Sequence, residues 1–370
     1  MAGATAAAAR QERQVSRILA LCRAGLDADA FRAGVLSRLR GIVPVDAAFF
    51  ATVDPQTLLF TSAMAEDPLG SATPQFLENE FGQADVNKFA ALAEAADPVS
   101  SLDRATGGHR ETSSRHREVM APLGLDGDEL RAALVVRNRC WGVLCLHRQK
   151  SPTGFSADEL RLLHRLVPHL AEGLREALTG AAFQAAQPAP PGGNTTPGIL
   201  ILDSTLALVS MTPEAEQWLA DFPARLWPGS SELPIPVRSV AAHLSTAEQA
   251  EPWSSRQPSS VRLRGRSGQW LSLHATPLPD PAGPRIAIVI QPVPPTELGS
   301  MLLSAHGLTT AQLRVAALIL RGHSTRQIVA ELHISANTVQ EHLTAAFDKF
   351  GVRSRRELVA AVLGGGEGPR

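Results

Sequence analysis

The sequence predicts a multidomain protein in which two α+β domains precede an all-α, tetrahelical domain at the C-terminus. Three observations carry this. From Leu308 onward, four segments each open on a side-chain oxygen or a basic pair and continue with apolar residues at helical spacing. Two stretches, 184–197 and 291–300, are rich in Pro, Gly and small polar residues that build no core, which sets boundaries at 1–183, 198–290 and 301–365. Within the first two segments, alternating apolar runs interleave with helical ones, the mixed pattern of an α+β domain.

The composition bounds the rest. A chain of 370 residues has room for two or three domains, and 44% hydrophobic with 19% charged residues is globular. No apolar run approaches the roughly eighteen residues of a membrane span. Met1 to Ala9 lacks the basic start of a secretory signal. Three cysteines argue against a disulfide framework and for a reducing, cytoplasmic location.

In the first segment, Val15, Ile18, Leu19 and Cys22, then Phe31, Val35, Leu36 and Leu39, mark two helices over 12–40. Phe49 to Phe60 is strand-like, with a turn at Asp54-Pro55. Residues 62–118 are poorly patterned. Leu130–Val136 and Cys140–His147 form an antiparallel hairpin about Arg137 and Asn138. Ser156 with Glu159 makes a capping box, and Phe155 with Leu160 a hydrophobic staple, launching a helix to about Leu178 with a mild kink expected at Pro168. In it, Leu160, Leu163, Val167, Leu170 and Leu174 alternate steps of three and four, the seam of a homodimer. Burial of the same residues in one intramolecular core is the equal alternative.

The run Gly142 to Leu146 followed by Phe155-Ser156 and Glu159-Leu160 resembles a GAF domain. The resemblance implies a small-molecule sensor or a dimer scaffold, with no cofactor evident and no ligand identified. In the second segment, Gly198–Asp203 and Leu206–Ser210 read as two strands, and Thr212-Pro213 starts a short helix. A loop follows, then a hairpin over Val261–Ala275 and a strand alternating Ile286, Ile288 and Ile290. This order is similar to a PAS domain. Trp218, Trp227, Trp253 and Trp270 are pocket or packing candidates.

Catalytic and metal constellations fail on spacing. Cys140 and Cys145 are five apart on a strand and are expected on opposite faces. His164 and His169 are off a shared helical face. His109 with Glu111, and His116 with Glu118, lack the cysteine pair that completes a deaminase zinc site. No metal set and no catalytic residue stands out, and no enzyme is expected.

The C-terminal segment is the most specific. Thr309 with Gln312 and Ser324 with Gln327 fit capping boxes, and Ser335 caps a third helix over 336–350. Only His333 and Ile334 separate the second and third helices, the tight connection of a helix-turn-helix. Opposite Val339, Leu343 and Phe347 the third helix presents Asn337, Gln340, Glu341 and Thr344. Such side chains read base edges in a major groove: Gln pairs with adenine, Glu accepts from cytosine, Thr touches a thymine methyl. Arg326, Thr338, His342, Lys349, Arg353, Arg355 and Arg356 surround them as phosphate contacts. From Met301 to Val362, seven Lys/Arg face four Asp/Glu, a net +3 in a chain of net −1.

Leu308-Thr309, Gly322, Ile328, Leu332, Ile334-Ser335, Thr338-Val339 and Gly351-Val352 together resemble the LuxR-type helix-turn-helix of bacterial transcription regulators. Gln312 replaces the family's usual Glu, and Gln340 stands where many members have Lys, removing about one phosphate equivalent of salt dependence. The resemblance implies a regulator bound to double-stranded DNA as a homodimer, nucleoid-associated when bound, with RNA polymerase as a partner and no membrane. Two alternatives stay open: a cysteine-dependent reductase of the GAF type, and a constitutive DNA binder whose N-terminal half is a protein-interaction module.

Overall fold

The computed structural model describes residues 2–149, 153–184, 196–222, 233–250 and 259–363, apart from 282, 295–296, 300, 302 and 304–305. Most of the 184–197 linker, Trp227 and Trp253 lie outside the described residues. The N-terminal part contains α1 (Ala2–Leu21), α2 (Ala28–Leu39), β1 (Ala47–Val53), β2 (Phe60–Ala65), α3 (Thr73–Gly82), α4 (Phe89–Glu94) and β3 (Val99–Ser101). It continues with α5 (Leu102–Thr106), β4 (Glu129–Val136), β5 (Arg139–His147) and α6 (Ala157–Gln184). The strands form one antiparallel sheet in the order β2-β1-β5-β4-β3. β1 is buried along its whole length, because α1, α2 and α6 cover one face of the sheet and α3 and α4 the other.

The start of α6 follows the sequence: Ser156 N donates to Glu159 Oε2 at 2.8 Å and Glu159 N to Ser156 Oγ at 3.3 Å. The expected dimer seam does not. Leu163, Val167, Leu170 and Leu174 are at most 2% exposed and pack with Val15, Ile18, Phe31 and Val35 in the chain's own core; only Leu160 is partly buried. The heptad spacing of these four residues is satisfied by α1, α2 and the sheet, which leaves none of the four open to a second chain. Gly173 permits this close approach, since a Cβ there would stand 2.8 Å from the Phe31 ring and 2.9 Å from the Cys22 Cα.

A second expectation fails at a bulge. Leu134 pairs with Gly142 but Val135 with Cys140, so Trp141 is skipped and the alternation of β5 inverts. Cys140 and Cys145 therefore share one face and one core. They remain about 15 Å apart at the rise of a strand, and among the described residues no disulfide links them.

The middle part comprises β6 (Gly198–Asp203), β7 (Leu208–Met211), α7 (Pro213–Asp221), α8 (Ile235–Ala250), β8 (Ser259–Arg264), β9 (Trp270–Leu278) and β10 (Arg285–Pro292). Its strand order, β7-β6-β10-β9-β8, repeats that of the first sheet. Helix α8 stands where the sequence suggested a loop. Pro236 lies in its first turn, where a missing N–H is tolerated, and Val237, Val240, Ala241 and Leu244 bury one face. α8 also lies on α3 and β2, and its Ile235 and Ala242 join the core of the first part. Phe60 N donates to Ser239 Oγ at 2.9 Å across this contact.

The C-terminal part is all helical: α9 (Thr310–Leu320), α10 (Thr325–Leu332), α11 (Ala336–Phe350) and α12 (Arg355–Leu363). Val315, Leu318, Ile319, Ile328, Val339 and Leu343 form one core cluster, and Leu303, Ala316, Leu320, Ala346, Leu358 and Val362 a second. No helix among the described residues is long and apolar enough to cross a membrane.

Candidate nucleic-acid interface

Both anticipated capping boxes form in full, Thr309 with Gln312 and Ser324 with Gln327. α10 ends at His333 in the left-handed conformation (φ 53°), and Ser335 immediately caps α11, its hydroxyl accepting from Thr338 N at 3.1 Å. This turn fixes α11 across α10 and leaves one side of α11 outward. Val339, Leu343 and Ala346 are buried beneath it, whereas Asn337, Gln340, Glu341 and Thr344 are exposed. At 100° per residue, these four fall within about one-third of the helix circumference, and from Asn337 to Thr344 they span roughly 10 Å. That matches a few consecutive base steps along a major groove. Thr344 donates to Gln340 O at 3.0 Å, so its methyl and oxygen lone pairs are what it offers.

The basic surround divides into two groups. Arg326, Arg353 and Arg356 are exposed. Lys349 is exposed but engaged: its Nζ donates to Gly307 O at 2.7 Å and Gln312 Oε1 at 2.8 Å. Arg355 Nη2 donates to Thr325 Oγ1 at 3.0 Å, tying α12 to the first turn of α10. Thr338 is half-buried with its hydroxyl 2.9 Å from Ser335 Oγ, and His342 is half-buried. Lys349, Arg355 and Thr338 therefore hold the domain together as well as border the outward face.

The segment before α9, on which the end of α11 packs, also meets the first domain. His306 stacks on Phe350 with ring centroids 4.0 Å apart, and a Cβ on Gly307 would stand 2.7 Å from Arg137 Cδ in the β4–β5 turn. Arg137 is itself paired with Glu172 of α6 at 3.0 Å.

Inside the first domain, a cavity of about 10 Å³ lies between the sheet and α3, lined by Phe49, Leu69, Ala72, Phe76, Met120 and His147. That volume is about one water's, and the exposed wall is apolar. Beside it runs a buried charge network the sequence did not reveal. Arg115 donates through Nε and Nη2 to Glu129 Oε2 at 2.9 and 2.7 Å, and Arg131 Nη2 to Glu80 Oε2 at 2.6 Å. Arg131 also sits 3.7 Å over the Phe89 ring. Burial alone would raise the Asp85 carboxyl, but hydrogen bonds and charge from Arg115, with Asn79, hold it well below the usual range. Burial pushes the His147 imidazole down to about 4 and the Cys140 thiol up to about 12; the Cys145 thiol is likewise raised. Glu129, Cys145 and His147 place ligand-type atoms within 4.8 Å of one another. The signal was present in the sequence: two donors at i and i+2 at the end of one hairpin strand and a carboxylate opening the other.

Residues 306–362 match the model of bacterial regulatory proteins of the luxR family, and residues 12–174 that of the GAF domain. Over 60 residues the chain is 37% identical to spore germination protein GerE of Bacillus subtilis (strain 168), spanning 16% of this chain and 81% of that protein. Two solved structures are similar to part of this chain. The phycoerythrobilin-bound GAF domain of a cyanobacterial phytochrome shares 21% identity, covering 45% of this chain and 95% of that one, with a TM-score of 0.34. The VqsR LBD domain of Pseudomonas aeruginosa shares 20%, covering 45% and 94%, with a TM-score of 0.32.

Proposed function

This chain belongs to the luxR family of bacterial regulatory proteins and is a DNA-binding transcription regulator under a GAF sensory domain; from that premise we propose how it reads DNA. Asn337, Gln340, Glu341 and Thr344 of α11 contact base edges in the major groove, and Arg326, Arg353 and Arg356 contact phosphates. The observation carrying this is the exposed polar row on α11 opposite the buried Val339, Leu343 and Ala346. Lys349, Arg355, Thr338 and His342 take a secondary place, bordering the groove while bracing the domain.

One α11 helix covers too few base steps for a unique site, so two copies on a pseudo-palindrome are the assembly we assign. The copies join through a surface other than the α6 seam. The unit boundaries are 1–183 for sensing, 198–290 for a PAS-like middle unit and 301–365 for DNA, with connectors at 184–197 and 291–300. The repeated strand order supports the PAS-like reading. We read no enzyme here: the two strand thiols are buried, raised in pKa and far apart, which suits no exchange chemistry.

Selection of the full-length protein on random DNA tests the reading. A recovered two-fold motif is expected, with Gln340→Ala losing preference at one base pair per half-site, about 1–3 kcal/mol. An equal loss on selected and random DNA would overturn the assignment of Gln340.

A further inference from the structure

The geometry points to a site for one divalent transition metal of the zinc class, formed by Glu129, Cys145 and His147 on the inner face of the first sheet. Strand register builds it. Cys145 and His147 are two apart on β5 and share a face, and Glu129 on β4 lies directly across from His147. Their donor atoms all lie within 4.8 Å of one another, so side-chain shifts of about 1 Å bring them to the spacing imposed by an ion with bonds of about 2.0–2.3 Å.

Two of the three carry a polar atom that burial leaves unsatisfied. Glu129, 3% exposed, has Oε1 without a hydrogen-bond partner, its nearest cation being Arg131 Nε at 3.9 Å, and His147, 1% exposed, has Nε2 without a hydrogen-bond partner, among the described residues. Native interiors rarely leave such atoms orphaned, and an ion is one of the few occupants that resolves both together. Arg115 takes the other Glu129 oxygen, which orients Oε1 in the manner of the outer partners of metal carboxylates.

The charges around the site balance before any ion enters. Glu80, Asp85 and Glu129 are matched by Arg115, Arg131 and Lys88 in the same cluster. Binding breaks the Cys145 S–H bond and forms an S–metal bond, with the proton released to bulk solvent. The thiolate adds one negative charge and the ion two positive ones, so the neutral cluster becomes +1. A thiolate with an imidazole selects a borderline metal over magnesium or calcium. Affinity should rise with pH as proton release becomes easier.

The site stands on its own geometry, and its role as the input of the sensory domain rests on the function proposed above. Full-length protein, stripped with chelator and titrated with Co²⁺, should bind one ion per chain with a thiolate-to-cobalt charge-transfer band that Zn²⁺ displaces. Cys145→Ser should abolish the band, Glu129→Gln should weaken binding by at least about 10-fold, and Cys140→Ser should leave both unchanged. X-ray absorption on zinc-loaded wild type decides the matter even where a core variant does not fold. One sulfur with nitrogen and oxygen neighbours upholds the site. Absence of bound metal, or a shell of nitrogen and oxygen only, overturns it and leaves a bridging water as the occupant. DNA affinity is read separately, so failure of the regulatory role leaves the metal count unaffected.

Discussion

Asp54 and Arg262, 208 residues apart in sequence, form a buried ion pair that joins the two sheets. Asp54 accepts from Arg262 N at 2.9 Å, Nε at 2.9 Å and Nη2 at 2.8 Å, and the two side chains are 1% and 7% exposed. The turn after β1 thereby grips β8, beside the Phe60–Ser239 hydrogen bond. Removing Asp54 leaves Arg262 buried with only the more exposed Glu297, 3.8 Å away, and removing Arg262 leaves the Asp54 carboxylate buried without a cation. Asp54→Ala should lower stability by about 3–5 kcal/mol in urea unfolding, and Arg262→Ala by a similar amount. A double variant no worse than either single one is expected; fully additive losses would show that the pair is not coupled.

The core role of α6 predicts a separation of stability from assembly. Leu170→Ala should cost about 2–5 kcal/mol, because Leu170 is 0% exposed within the chain. Gly173→Ala should cost about 1–3 kcal/mol by overpacking against Phe31 and Cys22. At temperatures where both variants remain folded, light scattering should give the same mass as for the wild type. A shift to monomer on Leu170→Ala alone would restore the seam as an interface.

Salt dependence distinguishes free from engaged cations around α11. Arg326→Ala and Arg356→Ala should each lower the slope of log affinity against log salt by about 0.9, one phosphate contact. Lys349→Ala should change that slope less and melting temperature more, since its ammonium is already bonded to Gly307 O and Gln312 Oε1. Equal slopes for all three would contradict this division.

His306 makes the docking of the C-terminal helices sensitive to acid. Burial, then Arg175 and Arg137, push its imidazole from 6.5 down to about 4, against the raising influence of the Lys349 backbone and Glu172. A histidine lowered on folding binds its proton more readily when unfolded. Its contribution is therefore present above pH 6.5 and is lost as pH falls from there toward 4. Melting temperature should fall more steeply over that window for wild type than for His306→Gln. Parallel pH profiles would exclude His306 as the cause.

The sequence by itself determined whatever is local. The caps at Thr309, Ser324 and Ser335, the box at Ser156 and Glu159, and the polar row on α11 are set by residues within one or two turns of each other, so spacing alone reveals them. Helix α8 was legible in the same way through Val237, Val240, Ala241 and Leu244, and was obscured by the prolines before it. Tertiary structure decided what depends on a distant neighbour. Whether the α6 heptad faces a second chain or its own core rests on α1 and α2 arriving beside Gly173. Which face Cys140 occupies rests on a bulge that only the pairing with β4 defines. The gathering of Glu129, Cys145 and His147 needs the β4–β5 register, and the Asp54–Arg262 pair needs two sheets brought together. Periodicity fixes the side a residue presents; only packing fixes what stands opposite it.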